Sequence, residues 1–160
     1  MSGKDDYYNR AKQEGYRARS AYKLAQLDEA EGLLGGGRTV VDLGAAPGGW
    51  LQVAAEAVGA GGTVVGVDRQ RIEPLEEDHG ARIEYVRGDV TDEATRAEIR
   101  DRVGEADVVL SDMAPDMTGA YETDHARSVH LARQAFATAE ALLGAGGDLA
   151  VKVFEGRDLA

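Results

Sequence analysis

Short β-branched runs alternate with longer helix-forming stretches along this chain, and that alternation narrows the possible folds more than any other feature. Thr39–Leu43, Thr63–Val67, Ile83–Val86, Val108–Leu110 and Leu149–Phe154 read as strands. Between them, Trp50–Val58, Asp92–Val103 and Asp124–Leu143 place apolar residues at helical spacing, with Thr91 and Thr123 as N-caps of the last two. A further helix is expected over Ala21–Ala30, capped by Ser20. Strands separated by helices pair in parallel, so the expected class is α/β, a parallel sheet with helices on both faces.

Ligands of such sheets bind beyond the carboxyl ends of the strands. Asp42 to Gly44 closes the first strand here, Asp68 the second, Asp89 the third and Asp112 the fourth, while Lys152 lies within the fifth. One acidic residue at a strand end means little. Four in succession, facing one rim, make a site.

Composition bounds the rest. A chain of 160 residues suits one domain, and 43% hydrophobic residues suit a globular one. There is no apolar run of about 18 residues to span a membrane. The first eight residues, Met1 to Tyr8, lack the apolar core of a signal peptide, so cytoplasmic residence is the default expectation. Without cysteine there is neither a disulfide nor a thiolate metal site.

The net charge of −11 argues against a nucleic-acid partner until its distribution is considered. Residues 1–23 hold six basic groups (Lys4, Arg10, Lys12, Arg17, Arg19, Lys23) against three acidic ones, leaving −14 on the remainder. Interleaved with Tyr7, Tyr8, Tyr16 and Tyr22, this segment could track phosphates and stack on bases; the alternative is an ordinary solvated helix. The acidic remainder, with eleven arginines to a single lysine, resembles proteins of salt-loving organisms.

Gly44-Ala45-Ala46-Pro47-Gly48-Gly49-Trp50 follows the first strand and opens a helix. Its glycines allow close backbone approach to a ligand, but it is not G-x-G-x-x-G, and Pro47 removes an amide that a diphosphate would use. Asp42 adds a carboxylate near the turn, which suits a cationic ligand better. Asp68, twenty-four residues after Gly44, can accept from both hydroxyls of an adenosine ribose. Asp89 can accept from the adenine amine, although each aspartate could instead be a helix cap. Together they describe an adenosine carrier with a positive tail, which is S-adenosylmethionine rather than NAD.

Lys152 stands in the apolar run Leu149–Phe154, where lost hydration favours its neutral, basic form. Taken alone, it is equally an edge-strand lysine that deters pairing. Asp112 and Lys23 tip the balance, because a Lys-Asp-Lys set suits methyl transfer to a hydroxyl. A desolvated lysine near another cation has a lowered pKa and can take the hydroxyl proton; Asp112 would orient it and Lys23 would position the hydroxyl. Asp112 opposes that lowering, so the net tuning stays open.

Arg19-Ser20-Ala21-Tyr22-Lys23-Leu24, Asp42 to Trp50, Ser111-Asp112-Met113-Ala114-Pro115 and Val151-Lys152-Val153-Phe154 resemble, in order and spacing, the FtsJ/RrmJ family, the ribosomal RNA large subunit methyltransferase E group of 2′-O-ribose methyltransferases. The resemblance implies a Rossmann-like S-adenosylmethionine-dependent methyltransferase fold. It implies catalytic roles for Lys23, Asp112 and Lys152, the last as proton acceptor, and cofactor contacts from Gly48, Trp50, Asp68, Asp89 and Asp112, to which the residue reading adds Asp42 and Gly44. The implied substrate is a uridine ribose in 23S ribosomal RNA of the large (50S) subunit, with transfer RNA or a messenger RNA cap as alternatives. Residues 1–22 would then be an RNA-contacting basic segment and 23–160 the methyltransferase domain of a monomer, with no membrane and no metal. The family's catalytic glutamate lies beyond the fifth strand, and Glu155 is misplaced for it. A chain lacking its final strands, and a catalytically weak cofactor- and RNA-binding fragment, are therefore expected as a further alternative. His79, His125 and His130 are singly placed and read as surface or packing residues.

Overall fold

The computed structural model describes residues 15–111 and 120–151. Asp112, Lys152 and residues 1–14 of the basic segment lie outside them. Among the described residues, nine elements follow in order: α1 (Ala21–Glu31), β1 (Thr39–Leu43), α2 (Gly49–Val58), β2 (Thr63–Asp68), β3 (Arg82–Arg87), α3 (Glu93–Val103), β4 (Ala106–Ser111), α4 (Tyr121–Leu142) and β5 (Leu143–Val151). All strand pairings are parallel, in the order β3-β2-β1-β4-β5.

Successive strand residues point to opposite faces, and each face packs its own pair of helices. Val40, Val64, Val108 and Leu110 meet Leu24 of α1 and Leu51, Ala54 and Val58 of α2. Val41, Leu43, Val65, Val67 and Val109 meet Ile99 of α3 and Ala139 and Leu142 of α4. Burial on both sides explains why β1, β2 and β4 are nearly continuous apolar runs. Each fully buried valine or leucine there contributes about 1.5–3 kcal/mol.

The chain runs outward from β1 through β2 to β3, then returns to β4 on the other side of β1. This reversal makes β1/β4 a switch point, where loops diverge and leave a crevice at the carboxyl ends. Among the described residues no helix is long and apolar enough to cross a membrane.

Three capping expectations are corrected. Ser20 precedes α1 but sits in the helical region (φ −64°, ψ −18°) and makes no side-chain cap bond. Thr91 does not cap α3, because Asp89 Oδ1 takes both its amide and its hydroxyl (2.9 and 2.8 Å), and Asp92 holds the N-cap position instead. Thr123 lies inside α4, whose extended N-cap is Ala120. The fifth strand also begins earlier than expected, at Leu143, which pairs with Ala106 ahead of a register shift.

Candidate functional site

The carboxyl ends of β1 and β2 are tied together by backbone bonds. Gly44 and Ala45 donate to the Val67 carbonyl (2.8 and 3.0 Å), and the Ala46 amide donates to Asp68 Oδ2 (2.9 Å). Asp68 Oδ1 accepts from the Gln70 amide (2.8 Å), so the carboxylate is fixed by two donors and keeps lone pairs for others. The Asp68 carbonyl accepts from Gly88 (2.9 Å), which brings Asp89, the next residue, to the same rim.

Asp89 is half-buried, and both Thr91 bonds fall on Oδ1, leaving Oδ2 available. The Thr91 amide, then its hydroxyl, hold the carboxyl below its ordinary value; burial opposes this and Arg69 assists it. Asp89 is thus an ionised, acceptor-only group at neutral pH. Asp42 is fully buried within β1, in register with Gly66 and Leu110. A cavity of about 220 Å³ adjoins the ends of β2 and β3, with Ile72, Tyr85 and Arg87 in its wall.

The glycine-rich turn enters α2 through a cis Ala46–Pro47 peptide and Gly48, whose φ of 117° disfavours any side chain. The close approach at this turn is made by the chain itself. A Cβ on Gly48 would lie 3.0 Å from Arg17 Nη1, and one on Gly49 would lie 2.7 Å from the Ala18 Cβ. Residues 15–20 form a strap across the start of α2. Gln52 Oε1 accepts from the Arg17 amide (2.7 Å), Tyr16 donates to Glu56 (3.1 Å), and Trp50 Nε1 donates to the Ser20 carbonyl (3.1 Å). That carbonyl also accepts from the Lys23 amide (3.1 Å), so Trp50 braces the turn that carries Lys23, whose side chain is exposed.

Of the site residues expected from sequence, Gly44, Asp68 and Asp89 share one bonded rim and Asp42 lies in β1 behind it. Gly48 and Trp50 stand at the strap. The last β4–β5 rung pairs Ser111 with Val151, and Asp112 and Lys152, outside the described residues, are the next residues in sequence. Arg17 and Gln52 were not singled out by sequence reasoning; in a basic segment nothing marks an arginine that will bond carbonyls. Among the described residues no group of three His, Cys, Asp or Glu could hold a metal ion. His79 pairs with Glu77 (3.4 Å).

A parallel sheet covered by helices on both faces, with acidic residues along the rim of β1, β2 and β3, defines a Rossmann-like α/β protein. The chain belongs to the FtsJ-like methyltransferase family, whose model matches residues 16–160. It is 69% identical over 166 residues to ribosomal RNA large subunit methyltransferase E of Haloarcula marismortui, a match covering 99% of this chain and 63% of that protein. The protein of the same name from Methanothrix thermoacetophila is 54% identical over 154 residues, covering 96% of this chain and 58% of its own. The chain thus spans about three fifths of these curated relatives. A crystal structure from Plasmodium falciparum, described as a ribosomal RNA methyltransferase, superposes with a TM-score of 0.77 at 24% identity, covering 89% of this chain and 81% of that one. It bears on the fold alone.

Proposed function

We propose that this chain binds S-adenosylmethionine at the β1/β2 rim and methylates the ribose 2′-hydroxyl of a uridine in 23S ribosomal RNA of the large subunit, in the cytoplasm. The observation that carries the cofactor reading is the Asp68 carboxylate, fixed by Ala46 and Gln70 amides beside the glycine-rich turn. The donor set fits the group. Asp68 and the open Oδ2 of Asp89 accept from ribose hydroxyls and an adenine amine, and buried Asp42 favours a cation over a diphosphate. When bound, the cofactor supplies an electrophilic methyl group on a sulfonium. Gly44, Gly48 and Trp50 would complete the cradle.

The Ser111–Val151 rung supports a partnership between the residues that follow it. Neutral Lys152 would take the 2′-hydroxyl proton as the oxygen bonds to the methyl carbon and the sulfur–carbon bond breaks. Asp112 would orient that amine, and Lys23, braced through Ser20 and Trp50, would position the hydroxyl. The basic segment 1–22 would contact the RNA. The ribosomal substrate rests on the family and on the names of the relatives.

Calorimetric titration separates cofactor classes: S-adenosylmethionine should bind more tightly than NADH, and the reverse would overturn the reading. Radiolabelled methyl transfer to undermethylated large subunits should label the ribose of 23S RNA. Labelling confined to transfer RNA or capped messenger would move the substrate assignment. Lys152→Ala should abolish transfer with cofactor affinity nearly intact; surviving transfer would exclude Lys152 as the base.

A further inference from the structure

Two loops flank the crevice at the carboxyl ends of β1 and β2, and one side chain joins them. Arg17 Nη1 donates to the Pro47 carbonyl of the glycine-rich turn (3.1 Å) and to the Glu73 carbonyl of the loop after β2 (2.5 Å). Its Nη2 donates to the Pro74 carbonyl (2.8 Å). Both loops lie outside the helices and strands, so their spacing is not set by a ladder. Each also holds a residue bonded at the rim: Ala46 to Asp68, and Leu75 to the Tyr85 hydroxyl (2.8 Å).

We infer that Arg17 is a positioning residue that locks the cofactor cradle, holding the glycine-rich turn and the 73–75 loop at the spacing the cofactor needs. The inference rests on the cofactor reading proposed above. Arg17 is itself anchored, through its amide, to Gln52 of α2, whose own amide donates to the Gly15 carbonyl (3.4 Å). The planar guanidinium presents paired donors in a rigid fork, which suits several carbonyls converging from two loops. Gly48 makes room for that fork. The strap then runs directly into α1, so the residue that sets the cradle also fixes the segment leading to Lys23. The Arg17 donors are already bonded to three carbonyls, whereas a phosphate contact would require the same donors to face the RNA.

These two roles separate experimentally. S-adenosylhomocysteine is titrated calorimetrically into the parent chain, Arg17→Ala and Arg17→Lys, at a temperature where melting curves show each to be folded. RNA affinity is followed across a salt series in parallel. The lock requires the dissociation constant to rise about tenfold or more in Arg17→Ala and similarly in Arg17→Lys, because one ammonium does not reproduce the fork. The RNA salt slope should not change. A constant within twofold of the parent in either folded variant overturns the inference, since a merely structural arginine would lower the melting temperature alone. A salt slope reduced by about one unit also overturns it, by making Arg17 a phosphate contact. Should Arg17→Ala fail to fold, the Arg17→Lys titration decides on the same thresholds. If the parent binds no S-adenosylhomocysteine, the cofactor reading falls and takes this inference with it; parental binding with unchanged variants sinks the inference alone.

Discussion

Asp89 acquires its acidity from local geometry. A carboxylate at a strand end, facing solvent on one side, would ordinarily titrate like any exposed aspartate. Here the turn after β3 folds the Thr91 amide and hydroxyl onto Oδ1, and both bonds favour the charged form. A carboxyl lowered in the folded state adds stability above its unfolded value and loses it as pH falls through the folded value. We therefore expect an NMR titration of the Asp89 carboxyl to give a midpoint below the ordinary 3.8. The stability difference between parent and Asp89→Asn should narrow as pH falls below that value; a midpoint at or above it would contradict the turn geometry. The place of Asp68 was legible in sequence because it directly follows the β-branched run Thr63–Val67, which fixes the strand end it occupies. Arg17 was not. A cation in a basic segment looks the same whether it will meet phosphates or carbonyls, and only the fold decides.

At the scale of elements, the strap over α2 makes Gly49 a packing residue. Alanine is the better helix former by about 1 kcal/mol, so propensity alone favours Gly49→Ala. Its new Cβ would lie 2.7 Å from the Ala18 Cβ and 3.0 Å from the Ala18 backbone nitrogen, where no flexible side-chain end can yield. Overpacking of this kind costs about 1–3 kcal/mol, so the net change should be destabilising. Denaturant unfolding should show a lowered midpoint, and limited proteolysis should cut faster within residues 15–20. An unchanged midpoint would mean that the strap lifts freely. β1 matched its expected bounds, Thr39–Leu43, because the β-branched run Thr39-Val40-Val41 opens it and Gly44 of the glycine-rich turn closes it. The start of β5 was hidden by Gly144, Gly146 and Gly147, which read as a loop. A Cβ on Gly147 would lie only 3.0 Å from the Asp107 carbonyl, so that glycine is required by the close approach of β4. Thr91 misled for a related reason: it has the composition of a cap, but Asp89 captures it first.

Charge acts at the scale of the whole molecule, where a chain of net charge −11 must engage an RNA under the proposed function. Many arginines of the body are already committed. Arg82 pairs with Glu84 (2.7 Å), Arg100 with Glu93 (2.6 Å), Arg102 with Glu84 and Glu98 (3.8 and 3.7 Å), and Arg71 with Glu73. Each exposed pair is worth at most about 1 kcal/mol, but together they neutralise the β3 edge and its helix α3. With Arg17 bonded to carbonyls, the other cations of the N-terminal segment are Lys4, Arg10, Lys12, Arg19 and Lys23. If all of them reached phosphates of a single-stranded target, the slope of log affinity against log salt would be about −3.5, since each contributes about −0.7. A fluorescence-anisotropy series from low to molar KCl should give a slope no steeper than that. Tyr22 is buried and Tyr16 packs on the core and bonds Glu56, which corrects the expectation that they stack on bases. The remaining affinity would then come from Tyr7, Tyr8 and shape, which salt screens little. A slope near about −6 would require cations of the body to reach the RNA as well, and would extend the binding face beyond the strap.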